Sequence, residues 1–207
     1  MEPNSPLVIT SYLPSIAYMS ILAQNRAVVV EQYETYHKQT LRNRARILTA
    51  NGVLPLTVPV ERQQGNHTLT KDILISYSEP WNVRHWRAIV SAYSAAPYFL
   101  FYRDKFEAVM TKKHERLLEL NQEILEILLN ILKIECQISY SMDFTPIGEH
   151  QNDMRWVGND KESEPINYPL YSQVFESKIP FKSNLSIIDL LFNIGPEAKR
   201  YLEQLQQ

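Results

Sequence analysis

Hydrophobic and polar positions along this chain follow two periods, one of strands and one of helices. Residues 7–10 (LVIT) and 27–34 (AVVVEQYE) are short β-branched runs. Between them, SIAYMSILAQN carries apolar residues at helical spacing, with Pro14 or Ser15 at its start. Strand, helix and strand within that length predict a βαβ unit with parallel strands. Residues 41–61 (LRNRARILTANGVLPLTVPVE) read as a hairpin. Asn51-Gly52 matches a two-residue turn with positive φ at both positions. Pro55 and Pro59 lack an N–H and push the second arm toward a sheet edge.

Residues 70–78 (TKDILISYS) are expected to form another strand. A helix is expected to start at Pro80 and stop at Pro97, repeating Val83, Trp86, Ile89, Val90 and Tyr93. Residues 98–110 continue it as a short aromatic helix. Residues 112–133 are helical by composition, with apolar residues on more than one face, which predicts deep burial. A strand is expected over 136–144. The C-terminal stretch gives two helices split at Gly195-Pro196, with Asn184 as the cap of the first. The fold class is α/β. It comprises a mixed sheet with an N-terminal βαβ-like unit and a β-hairpin, packed by helices, then a helical C-terminal part, all in one domain over residues 1–207. Residues 146–168 are polar and irregular, and a loop of that length predicts a lid or binding loop.

Composition narrows the function classes. The chain has 207 residues, a formal net charge of −2 and a sequence pI of about 6.2, so any attraction for polyanions must be local. With one cysteine, Cys136, neither an intramolecular disulfide nor a cysteine-rich metal site can form. The five histidines show no metal-binding spacing. P-loop, GxGxxG and GxSxG motifs are absent. Residues 117–134 are apolar but interrupted by Glu119, Asn121, Glu123, Glu126 and Asn130, which argues against a membrane span. The opening residues lack the pattern of a signal peptide, so a cytoplasmic protein is expected.

The candidate chemistry starts at the hairpin. In a strand, Arg42, Arg44 and Arg46 would share one face, with Asn43, Ala45 and Ile47 on the other. Three guanidiniums about 7 Å apart repel one another unless an anion lies between them, and their forked donors match carboxylate or phosphate. The alternative is a solvated face paired with surface acids, which stabilises little. Glu31, Glu34 and His37 surround the end of the second strand, where ligands gather in parallel sheets. His37 and Glu31 are the candidate acid–base pair. Trp81 and His85 are four apart on a helix and share a face, as an aromatic wall with a polar handle or as a packed helix start. Asp189 is the one charge in SIIDLLFN. Burial and pairing with an arginine is one reading of it, and a solvent-facing position is the other.

Four blocks in order resemble the WbqC-like protein family: SYLPSIAYMSIL; VVVEQYETYHKQTLRNRARILTANGVLPLTVPV; WNVRHWRAIVSAYSAAPYFLFY; and YSQVFESKIPFKSNLSIIDLLFNIG. The likeness runs from about residue 7 to 202. Positions matching the family's motifs are Tyr12, Leu13, Pro14 and Tyr18, then Arg42, Asn43, Arg44 and Asn51, then Trp81 and Asp189. The chain departs from the pattern at Thr10 and Ser11 (Gln-Pro in the family), at Ser15 and Ala17 (Trp and Gly) and at Glu31 (Asp). The resemblance implies a bacterial protein linked with surface-polysaccharide, O-antigen-type, biosynthesis. The expected function is a transferase binding a small anionic ligand, a nucleotide-sugar or activated acyl group. Its ligand-binding residues would be Tyr12, Pro14, Tyr18, Arg42, Asn43, Arg44, Arg46, Asn51, Trp81, His85 and Asp189. The alternative is a non-catalytic binding or scaffold protein of the same pathway. No cofactor is specified, a metal and nucleic acid are not expected, and homo-oligomerisation is left open.

Overall fold

The computed structural model describes residues 5–37, 40–158 and 166–205. Strand β1 (Leu7–Val8), helix α1 (Ile16–Gln24) and strand β2 (Ala27–Val30) form the expected βαβ unit. The two strands are parallel, with Leu7 opposite Val29 and Val8 opposite Val30. Later in the chain, β7 (Gln137–Tyr140) adds in parallel on the other side of β2, giving the order β1-β2-β7. On the far side of β1, the Leu7 N–H donates to Asn152 O and Leu7 O accepts from the Met154 N–H, both at 2.9 Å. The segment around Asp153 thereby acts as a further rail of the sheet. The β-branched run Val28–Val30 is buried throughout, as a sheet covered on both faces requires.

The hairpin pairs β3 (Arg44–Thr49) with β4 (Gly52–Thr57) in antiparallel register, Thr49 opposite Gly52. The two loop residues are therefore Ala50 and Asn51, not Asn51 and Gly52. Only Gly52 takes a positive φ (105°), so the turn resembles a type I turn closed by a glycine bulge. Ala50 and Asn51 keep φ values open to any L-residue, and Gly52 alone takes the left-handed position. Beyond it, β5 (Val60–Glu61) pairs β6 (Leu74–Ile75). The expected strand over 70–78 shrinks to β6, because Thr70–Asp72 turns as a 3-10 helix whose Thr70 N–H is taken by Glu34 O.

Helices α2 (Trp81–Tyr93), α3 (Phe99–Thr111) and α4 (Leu117–Leu132) follow. α4 is buried along one face, which corrects the expectation of deep burial from apolar residues on more than one face. Leu117, Leu120, Asn121, Ile124, Leu125, Leu128 and Leu132 are buried, spaced as one stripe, while Glu119, Gln122, Glu126 and Asn130 are exposed. Helices α5 (Ile187–Ile194) and α6 (Glu197–Gln204) are split at Gly195-Pro196 as expected, with Gly195 at φ 56°. Asn184 does not cap α5. Its Oδ1 accepts the Ala17 N–H at 3.0 Å, at the start of α1, while Ser15 Oγ accepts the Tyr18 N–H. The C-terminal part thus closes the first helix of the chain.

The helical core centres on Phe192. Tyr93, Phe99 and Phe106 meet its ring edge-on at centroid distances of 5.4, 5.2 and 5.5 Å. Each such pair adds about 0.5–1.5 kcal/mol beyond its burial. Among the described residues, no helix is long and apolar enough to cross a membrane.

Candidate functional site

The parallel strands β1, β2 and β7 all end on one side of the sheet, and the chain leaving them carries the polar residues. Glu31, directly after β2, is fully buried. Its Oε1 accepts from the Tyr33 N–H and the Ser141 hydroxyl, both at 2.7 Å, and its Oε2 accepts from the Thr145 N–H at 3.1 Å. It fastens the exit of β2 to the exit of β7.

Three residues on, Glu34 meets Arg42. Glu34 Oε1 accepts from Arg42 Nε at 2.8 Å and Nη2 at 2.5 Å, and Arg42 Nη1 donates to Thr40 Oγ1 at 3.1 Å. Both side chains are more than nine-tenths buried. Arg42 therefore does not belong to the strand face that the sequence assigned it. β3 begins at Arg44, and the chain from Thr40 to Asn43 turns Arg42 inward onto Glu34. Asn121, on α4, holds this turn from behind by donating to Arg42 O and Thr10 Oγ1 at 2.8 and 3.0 Å.

A second ion pair comes from the polar segment. Asp153 accepts from Arg155 Nε and Nη2, the latter at 2.5 Å, and Arg155 Nη1 donates to Thr145 O at 2.8 Å. Burial raises the Asp153 carboxyl, but the hydrogen bonds and charge of Arg155 outweigh it and hold the group below its ordinary value. Arg155 in turn is raised by Asp153 against the effect of burial, with Glu34 and Glu31 adding to the field. The two ion pairs are thus one electrostatic cluster.

The pairs share a cavity of about 470 Å³, whose wall also includes His37, Thr40, Ile147, Gly148 and Trp156. His37 is exposed and stands at its mouth. Two carboxylates face two guanidiniums, so the formal charge is balanced apart from His37. Each guanidinium still has an N–H on both Nη nitrogens with no protein partner among the described residues. The cavity therefore offers donors for an anionic oxygen, acceptors for hydroxyls and an aromatic side chain, Trp156, in its lining.

The other sequence candidates lie elsewhere. Arg44 and Arg46 do share the outer face of β3, with Ala45 and Ile47 in the core. Arg44 Nε reaches Thr57 Oγ1, and Arg46 Nη2 reaches Asn184 O. Asn43 Nδ2 donates to Val58 O, Asn51 sits at the exposed turn, and Pro14 O accepts the Ile187 N–H. Tyr18 donates to Ile9 O inside the core. Tyr12, Trp81 and His85 do come together, but as packing. Tyr12 Oη lies 2.9 Å from His85 Nδ1, and the Trp81 and His85 rings are 5.1 Å apart. Burial lowers His85 to about 4, which leaves it neutral at pH 7.

Asp189 is fully buried and has no arginine partner among the described residues. It accepts from Tyr93 Oη at 2.9 Å, Tyr171 Oη at 2.6 Å and Gln173 Nε2 at 2.9 Å. Sequence reasoning missed Asp153, Arg155, Trp156 and Thr40 as lining residues. The signal was the charged and aromatic run DMRW inside an otherwise featureless polar segment. Of that segment, residues 159–165 lie outside the described residues, residues 146–149 are exposed, and residues 152–158 run beside β1. Gly158 presses on Ile9, where a Cβ would come 2.0 Å from Ile9 Cδ1. No group of acids, histidines or cysteines suited to a metal occurs among the described residues.

A family model described as the WbqC-like protein family matches residues 10–161 and 159–201. The chain is similar to "Uncharacterized protein Rv1507c" of Mycobacterium tuberculosis, at 26% identity over 227 residues that cover 97% of this chain and 98% of the relative. No solved structure matches it.

Proposed function

We propose, for a chain that belongs to the WbqC-like protein family, that the cavity at the strand exits binds a phosphate-bearing ligand and that the protein is a transferase of bacterial surface-polysaccharide assembly. The observation that carries the binding half is the convergence of Arg42 and Arg155, from separate segments, on one cavity with His37 and Thr40 at its rim. The carboxylates of Glu34 and Asp153 fix the two guanidiniums in place and leave their outer N–H groups toward the ligand. Preset donors of this kind stabilise negative charge as it develops on a leaving phosphate oxygen. Glu34 Oε1 takes both bonds from Arg42, which leaves Oε2 to accept a hydroxyl of a sugar. In this reading His37, exposed in the cavity lining, is the proton-transfer group.

Titration calorimetry with UDP-glucose and with acetyl phosphate tests this reading. Binding of either is expected in the wild type, weakened about tenfold in His37→Gln by loss of one hydrogen bond to a charged group. No heat with either ligand at millimolar concentration would remove the reading.

One observation favours the second reading, a non-catalytic binding or scaffold protein of the same pathway. Glu31, the other acid–base candidate, is fully buried with both oxygens engaged. Multiple turnover of a bound donor by purified protein decides between the two.

A further inference from the structure

Three large apolar side chains stand in the segment whose Ile147 and Gly148 line the cavity: Met142, Phe144 and Ile147, exposed by 81%, 47% and 88%. Their exposure is not that of a slack loop. Ser141 Oγ donates to Glu31, the Thr145 N–H donates to Glu31, and Thr145 O accepts from Arg155. The segment is fastened through its polar groups to the residues that build the site, and the apolar side chains are held outward. Ile147 itself lines the cavity, on the same wall as Trp156. Large apolar side chains left in water along one short segment are costly, and exposed apolar surface beside a cavity marks a binding site.

We propose that this strap is the second half of the ligand site, and that the ligand is amphiphilic. Its phosphate-bearing head lies against Arg42 and Arg155, and a hydrocarbon chain of the acyl kind lies along Ile147, Phe144 and Met142. The proposal rests on the anion-binding reading above and narrows it, favouring an activated acyl group over a nucleotide-sugar. Two features of the strap select that occupant. It is continuous with the charged cavity through Ile147, so a chain attached to the head need not cross water. Met142 and Ile147, toward the two ends of the strap, are also aliphatic, giving a surface for methylenes.

Calorimetry with ethyl phosphate and n-octyl phosphate, the latter below its micelle concentration, separates head from chain. The wild type is expected to bind octyl phosphate at least about tenfold more tightly, a gain that burial of only two methylenes supplies. Met142→Ser/Phe144→Ser should abolish that gain and leave ethyl phosphate binding unchanged. Met142→Ser alone, at a site too exposed to affect folding, should remove part of it. His37→Gln should weaken both ligands.

Equal affinity for the two phosphates overturns the chain proposal and leaves the anion site standing, whereas absence of binding by both overturns the two together. Octyl phosphate binding that ignores the Met142 and Phe144 changes, or that ignores His37→Gln, also overturns it. So does a wild-type dimer that the double variant splits in sedimentation, because the strap would then be covered by a second copy. Adsorption of the wild type to phosphatidylcholine vesicles, lost in the variant and without any octyl phosphate preference, would assign the strap to a bilayer instead.

Discussion

Glu34 and Asp189 are both buried carboxylates, 6% and 0% exposed, yet one belongs to a cavity and the other to the core. Asp189 is held by neutral donors, two tyrosines and a glutamine, which use up its two oxygens and have little left to offer. Glu34 is held by a cation whose fork is wider than one carboxylate can fill. A carboxylate closed by neutral donors is a structural joint. A carboxylate closed by a guanidinium leaves unspent N–H groups, and where these border a cavity they form a binding surface. The Tyr12–His85 contact belongs with Asp189, a polar pair sealed inside apolar packing.

The largest expected effect tests the ion-pair half of that contrast. Arg42→Met strands the Glu34 carboxylate, and unfolding in urea should show a loss of about 3–5 kcal/mol. The double change Glu34→Gln/Arg42→Met should recover much of it, because a neutral buried pair needs no countercharge. A single variant as stable as the wild type would contradict the burial of this pair.

The sealed regions should announce themselves through pH. His85 titrates at about 4 in the fold against 6.5 for the free side chain. The unfolded chain therefore binds the proton first, and its stabilising effect, present above pH 6.5, is lost as pH falls toward 4. That component amounts to roughly 3 kcal/mol, and His85→Gln should lack it in stability measured across the window.

Asp189 has the opposite sign. Burial raises its folded pKa above 3.8 despite three donors, so the fold binds the proton more tightly than the unfolded chain does. Its contribution is complete below pH 3.8 and is lost as pH rises through the raised value. Asp189→Asn should remove that descent and change stability at neutral pH by about 1–2 kcal/mol. The smallest effect belongs to the open region. His37→Gln is exposed and should alter stability by less than about 0.5 kcal/mol, while lowering ligand affinity.

Much of the fold was legible from local pattern. The βαβ unit follows from a Val-rich run on either side of a helical period, and the α5–α6 break follows from Gly195-Pro196. What failed was set by distant partners. Thr70 leaves the expected strand because Glu34 takes its N–H, and Asn184 caps a helix that precedes it by more than 150 residues. The family motifs Tyr12, Tyr18, Trp81 and Asp189 were visible as residues but not as roles, since a buried joint and a ligand contact use the same side chains. Alternation with Arg44 and Arg46 predicts a strand position for Arg42, whereas an inward turn before β3 places it on Glu34. Asp153 and Arg155 sit in a segment without period, where only proximity in space reveals a partner.

The central claim is that Arg42 and Arg155, fixed by their carboxylates, bind a phosphate-bearing ligand at the strand exits. The most direct measurement is calorimetric titration of acetyl phosphate into the wild type and into His37→Gln, with melting temperature recorded for both. Saturable binding in the wild type, weakened about tenfold in a variant that melts as the wild type does, is the predicted result. Equal binding by the two proteins would contradict the account, because the anion would then lie somewhere other than this cavity.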